Sequence, residues 1–254
     1  MIERLLDFID ESPTAFHAVA AAEKRLASAG YTELREFEAW RLCRGGKYYV
    51  ERNGSSLIAF AVPDGPVKGF MGAAAHTDSP ALRLREDPVL KGEPYTRLSV
   101  EKYGGMLCAP WLDRPLSVAG RVLVREGSGF RSVLADSKAP VALIPNVAIH
   151  MNRKANEGTA YDASADMVPV YSADVPFNTL VARLAGVKES DILATELFLV
   201  DHERGRAWGD YVSAPRLDDL EYAFTCADCL EGEDCSYETA AYEESNLENV
   251  SPCN

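Results

Sequence analysis

From about Asp87 onward the sequence is cut by proline and glycine into short β-rich runs: "YTRLSVEKYGG", "LSVAGRVLVREG" and "FRSVLADSKAPVALIPN". That texture limits what the middle of the chain can become. Aromatic and β-branched residues between turn formers make short strands with tight connections, hence an all-β or β-rich unit. The flanks read differently. "DESPTAFHAVAAAEKRLASAG" predicts a helix, with Ser12 as cap, Pro13 at the first helical position and Gly30 past the end. Phe16, Val19, Ala22 and Leu26 share one face of it, and His17 beside them reads as a structural or surface residue. "KYYVERNGSSLIAFAV" holds two β-rich runs around Asn53-Gly54, a hairpin signal. "VKGFMGAAAHTD" is nearly continuous in apolar residues, as in a strand covered on both faces. "PFNTLVARLAGVKESDILATELFLV" returns to helix and then strand. The order of these signals predicts an α/β domain built from residues 1–89 and 206–254, whose sheet resumes near Glu196, interrupted by a β-rich unit over residues 90–205.

A chain of 254 residues, 47% hydrophobic, can bury one large core or two modest ones. No apolar run reaches the roughly 18 to 20 residues of a membrane span. The opening "MIERLLDFIDES" lacks a signal peptide's basic and apolar regions, which gives a cytoplasmic expectation. A formal net charge of -13 argues against nucleic acid or an anionic membrane as partner. Cys226, Cys229, Cys235 and Cys253 crowd the end of the chain. They are expected as thiols in a cytoplasmic protein. Cys226-x-x-Cys229 could open a zinc site, and an adaptor built on these four cysteines is one reading, although no second close pair repeats the spacing.

The chemistry gathers in two other places. In "GFMGAAAHTDSPALRLR", His76 and Asp78 are two residues apart, so in an extended segment their side chains face the same way and can touch. A carboxylate that accepts from one imidazole nitrogen fixes the tautomer and leaves the other nitrogen to ligate a metal. The bland alternative is a core histidine satisfied by a nearby acid. In "GDYVSAPRLDDL", Asp218 and Asp219 follow Pro215 and Arg216. An aspartate with two oxygens can bridge two cations; alternatively, adjacent acids cap a helix over "LDDLEYAFTCADCL".

Taken in order, "FIDESPTAFHAV", "AAAHTDSPALRLR", "YGG…WLDRPLSVAGRV", "IPNVAIHMNR" and "SAPRLDDL" resemble the aspartyl aminopeptidase family of co-catalytic zinc metallopeptidases, from Leu5 to about Leu220. The resemblance implies a metallopeptidase (phosphorylase/hydrolase-like) α/β domain interrupted by a β-rich dimerisation domain. It also implies two Zn2+ per subunit, a homo-oligomeric dodecamer, and peptide substrates that lose one N-terminal residue, acidic in some members. Residue by residue, His76 resembles the ligand to one zinc, Asp78 its orienting carboxylate in the catalytic set, and Asp218 the aspartate bridging both zincs. His150 resembles a histidine that the dimerisation domain delivers to a neighbouring subunit's active site as a substrate contact.

The family carries its general base and a further zinc ligand as a Glu-Glu pair in an Asn-Glu-Glu-Val-Gly-Ser context, followed by an Asp and a C-terminal His. Here the pair is Glu243 and Glu244 in "AAYEESNLENV", a different context, and no histidine follows His202. On the resemblance Glu243 is the base and Glu244 the ligand. The competing reading is a catalytically inactive, truncated member acting only as an oligomerisation or binding module.

Overall fold

A computed structural model describes residues 2–90, 92, 94–216 and the strand at 222–226. The chain opens with two helices, α1 (Ile2–Asp10) and α2 (Ala15–Ser28). A short β1 (Thr32–Leu34) runs parallel to β2 (Lys47–Arg52), which turns back through Asn53 and Gly54 into β3 (Ser56–Ala61). Both turn residues take left-handed backbone, at φ 58° and 67°, which Asn and Gly tolerate best.

After an irregular passage the chain enters β4 (Ala81–Leu90) and β5 (Thr96–Tyr103), then β6 (Pro115–Glu126), β7 (Gly129–Asp136) and β8 (Ala142–Leu143). The one-turn α3 (Ala163–Asp166), β9 (Val170–Tyr171), α4 (Phe177–Ala185) and β10 (Ile192–Val200) follow. β10 pairs with β4 on one side and β6 on the other, and β4, β5, β9, β8 and β6 pair in turn. Six strands therefore close on themselves, with β7 carried on β6. Closure leaves few open edges. Leu82, Leu98, Leu116, Val118, Val122 and Leu199 are fully buried in the resulting core, against which Phe177, Leu180 and Val181 of α4 pack. No helix among the described residues is long and apolar enough to cross a membrane.

A second, smaller cluster joins the beginning of the chain to its later part. Leu6 and Ile9 of α1 pack on Val212 and Ala214 of β12 (Tyr211–Pro215), which lies between β11 (Arg206–Trp208) and β13 (Tyr222–Cys226). Arg204 reinforces the contact with hydrogen bonds to Glu3, Asp7 and Asp10.

Several expectations change. The helix cap is Thr14 rather than Ser12, and α1 precedes it as a separate helix. Residues 69–78, expected as a doubly covered strand, are irregular, with Phe70 and Met71 fully exposed. An apolar run becomes a strand only where neighbours take up its backbone hydrogen bonds, and no strand among the described residues pairs with this one. Ala81, not residue 90, begins the β-rich sheet, and β10, expected to rejoin an α/β sheet, closes the barrel instead. Apart from β1 with β2, the named strands of the described residues pair antiparallel. Residues 222–226, which one of the two readings of that stretch put in a helix, form β13 in register with β12 from Tyr211 opposite Cys226 to Pro215 opposite Tyr222. "YAFTC" is rich in strand-forming residues, and the available edge of β12 decides the matter.

Candidate functional site

His76 and Asp78 stand between the β2–β3 hairpin and β4. Their segment follows no regular element, and side-chain hydrogen bonds fix it. Thr77 donates its hydroxyl to the Ser55 carbonyl at 2.7 Å, tying the segment to the hairpin. On either side of it, His76 Nδ1 lies 3.1 Å from Asp78 Oδ1, and the Tyr103 hydroxyl donates to Asp78 Oδ2 at 2.6 Å. The contact expected from a spacing of two is present, although the segment is not a strand.

The Tyr103 hydroxyl, and after it the His76 ring, hold the Asp78 carboxyl below the usual carboxylate range against the opposing effect of burial. Tyr103 responds in the opposite sense: the hydrogen bond to Asp78, together with burial, pushes its phenol up to about 12. At neutral pH Asp78 is therefore ionised and can only accept, so both neighbours donate to it. This places the imidazole proton on Nδ1 and makes Nε2 the nitrogen through which His76 would ligate a metal. The His76 side chain is 70% exposed.

That donor set suits zinc in its chemistry, since an imidazole oriented by a carboxylate is a common arrangement at zinc. The described residues hold no group of three or more His, Cys, Asp or Glu side chains able to grip an ion. Asp218, Glu243, Glu244, Cys229, Cys235 and Cys253, and the side chain of Cys226, lie outside what the structure describes. His150 stands exposed on the loop between β8 and α3, beside the exposed Ile149 and Met151.

Behind Asp78 is a cavity of about 160 Å³, with Phe16, Trp111, Arg114, Arg121 and Phe198 among its walls. Arg121 donates to Glu196 at 2.8 and 3.0 Å, to the Asn53 carbonyl at 2.9 Å, and stacks 4.2 Å above the Phe16 ring. One guanidinium thus joins the barrel, the hairpin and α2 around the site. Arg114 pairs with the buried Asp201. Arg216, which follows Pro215 in "SAPRLDDL", donates to the carbonyls of Asp201 and Ile9. Burial lowers its pKa, with Asp201, Asp10 and Asp136 opposing.

Sequence reasoning assigned no role to Tyr103, Arg121, Arg114 or the interactions of Arg216. Tyr103 lay in plain view at the head of "YGG", and the sign available was a tyrosine closing a strand beside two glycines. Its partner depends on the pairing of β4 with β5, which spacing does not disclose.

Residues 8–247 match the family model described as aminopeptidase I zinc metalloprotease (M18). A probable M18 family aminopeptidase 2 from Pseudomonas fluorescens (strain SBW25) is 43% identical over 230 residues, covering 85% of this chain and 54% of that protein. The cryo-EM structure of the Ape4 and Nbr1 complex matches with a TM-score of 0.79 at 33% identity, over 84% of this chain and 46% of the other. The S. cerevesiae mApe1 dodecamer matches with a TM-score of 0.68 at 27% identity, over 85% of this chain and 52% of the other. The chain spans about half the length of these relatives. The match over nearly the whole chain settles the kinship: this chain belongs to the M18 family of aminopeptidase I zinc metalloproteases.

Proposed function

We propose that the protein is a metal-dependent aminopeptidase that removes single N-terminal residues, acidic ones among them, from peptides. The observation that carries this reading is the imidazole of His76 held through Nδ1 by an ionised Asp78. Zinc, two ions per subunit on the resemblance, would polarise the scissile carbonyl and acidify a bound water. His76 would offer Nε2 as one ligand, Asp218 a bridging carboxylate and Glu244 a further oxygen. Glu243 would accept the water's proton and return it to the leaving amine. His76 would keep its Nδ1 proton throughout, donated to the Asp78 carboxylate, which keeps the ring aligned.

The oligomeric side of the proposal follows the dodecameric relative. The barrel, residues 81–200, would serve as the β-rich dimerisation domain within a metallopeptidase α/β domain, and His150 would contact substrate in a neighbouring subunit. The inactive-module reading is not favoured, because the family model extends to residue 247 and the curated relatives are named aminopeptidases.

Zinc content and the release of acidic and neutral aminoacyl groups, measured on this chain and on His76→Ala, test the proposal. Turnover dependent on zinc and lost in the variant is the expected result. Turnover that persists in His76→Ala would overturn it.

A further inference from the structure

We propose that Tyr103 is a positioning residue of the His76 site: through its hydroxyl the barrel strand β5 fixes Asp78 in the orientation that sets the His76 ring. This rests on His76 being a metal ligand.

The two oxygens of Asp78 are divided between two donors, Oδ1 facing His76 Nδ1 and Oδ2 facing the Tyr103 hydroxyl. The terminal torsion of an aspartate is broad and has no sharp preference of its own. One contact leaves the carboxylate free to swing; a second from the other side removes that freedom. Residues 76–80 belong to no regular element; the Asp78 amide adds a local hydrogen bond to the carboxylate, and the Tyr103 hydroxyl is what ties that carboxylate to the barrel.

Tyr103 is itself well anchored. It stands opposite Ala81 in the pairing of β5 with β4, three residues beyond Asp78 in the same direction of chain. A slip of one residue in that register would carry the phenol to the other face of the sheet. Its ring meets Phe198 of β10 edge to face, with centroids 5.3 Å apart and planes at 76°. Gly104 follows in left-handed backbone at φ 75°, and a Cβ there would lie 3.6 Å from Pro80 Cα, so the chain departs closely over the segment it orients. The order is thus Phe198, Tyr103, Asp78, His76, leading from the closing strand of the barrel to the ligand nitrogen.

The experiment compares the 254-residue chain with Tyr103→Phe, Asp78→Asn, the double variant and His76→Ala. Nitrogen-detected NMR of the His76 ring, at a pH where it is neutral, reads the tautomer; titration with cobalt(II) reads metal affinity. Phenylalanine keeps the edge-to-face packing and removes only the hydroxyl. In the unmodified chain the proton should reside on Nδ1. In Tyr103→Phe the two tautomers should mix, and cobalt should bind about tenfold more weakly, at the low end for an outer-shell partner because water can reach the 37% exposed Asp78. In the Asp78→Asn background the tyrosine substitution should add nothing, since it acts through that carboxylate. A proton found mainly on Nε2 in the unmodified chain overturns the proposal without any variant. An unchanged tautomer in Tyr103→Phe does so as well. Cobalt binding indifferent to His76→Ala would instead defeat the ligand role of His76, while the tautomer comparison still decides what Tyr103 does to Asp78.

Discussion

At Gly120, where β6 passes β10, a Cβ would lie 2.0 Å from the Glu196 carbonyl oxygen and 2.9 Å from Leu197 Cα. Both obstacles are backbone and cannot swing aside, so Gly120→Ala has to part the two strands that close the barrel. A loss of roughly 3 kcal/mol or more is expected, the range of overpacked cores at its upper end, and urea unfolding monitored by tryptophan fluorescence measures it. The sequence shows a glycine inside a strand-forming run but cannot show what approaches it. The same limit applies at the site. A spacing of two put His76 and Asp78 within reach of each other, and they do touch, but the reason lies in Thr77, Tyr103 and the Ser55 carbonyl rather than in strand pleating. Pairwise proximity along the chain was legible; partners supplied by register were not.

Arg121 connects whole elements, since its guanidinium reaches Glu196 on β10, Asn53 in the β2–β3 turn and Phe16 on α2. A planar fork can serve all three at once, whereas an ammonium is a point donor that cannot reproduce the stacking or the paired bonds. Arg121→Lys is therefore expected to cost about 1–3 kcal/mol and to lower hydrogen-exchange protection in the hairpin at 47–61 more than within the barrel. Strands bounded by proline and glycine were readable one by one, as was the Asn53-Gly54 hairpin. Their closure into a ring was not, because it depends on β10 pairing with both β4 and β6. The misread elements share one cause. Residues 69–78 carry an apolar run that finds no strand partner among the described residues, and residues 222–226 find an edge on β12 that the helical alternative did not foresee.

Across the whole molecule, the helical N-terminus meets the barrel at His17. Burial lowers its pKa to about 4 despite the attraction of Asp136, with His202, Lys138 and Arg216 adding positive charge nearby; Thr14 hydrogen-bonds Nδ1 at 2.9 Å. Asp136 is pushed up by burial but held below its usual range by the hydrogen bond from His202 and the Lys138 amide, aided by the charges of both histidines. Between about pH 6.5 and 4 the unfolded chain binds a proton at His17 that the folded chain refuses. Stability is thus full above that window and falls as the pH drops through it, by roughly 3 kcal/mol at most. Urea midpoints at pH 7 and 4.5 should show the loss in the native protein and much less of it in His17→Gln; Asp136 contributes only at lower pH, near its own range. The order of the strands along the chain separates early from late events in its life. The bond from Tyr103 to Asp78 spans 25 residues across the β4–β5 hairpin and the segment just before it, whereas the ring of strands waits for β10 (Ile192–Val200). A hairpin alone is marginal in water, and long-range pairing is slow to form. During synthesis the hold on Asp78 is therefore expected to form and break while the chain is short, and to persist once β10 has emerged and Phe198 packs against the tyrosine ring.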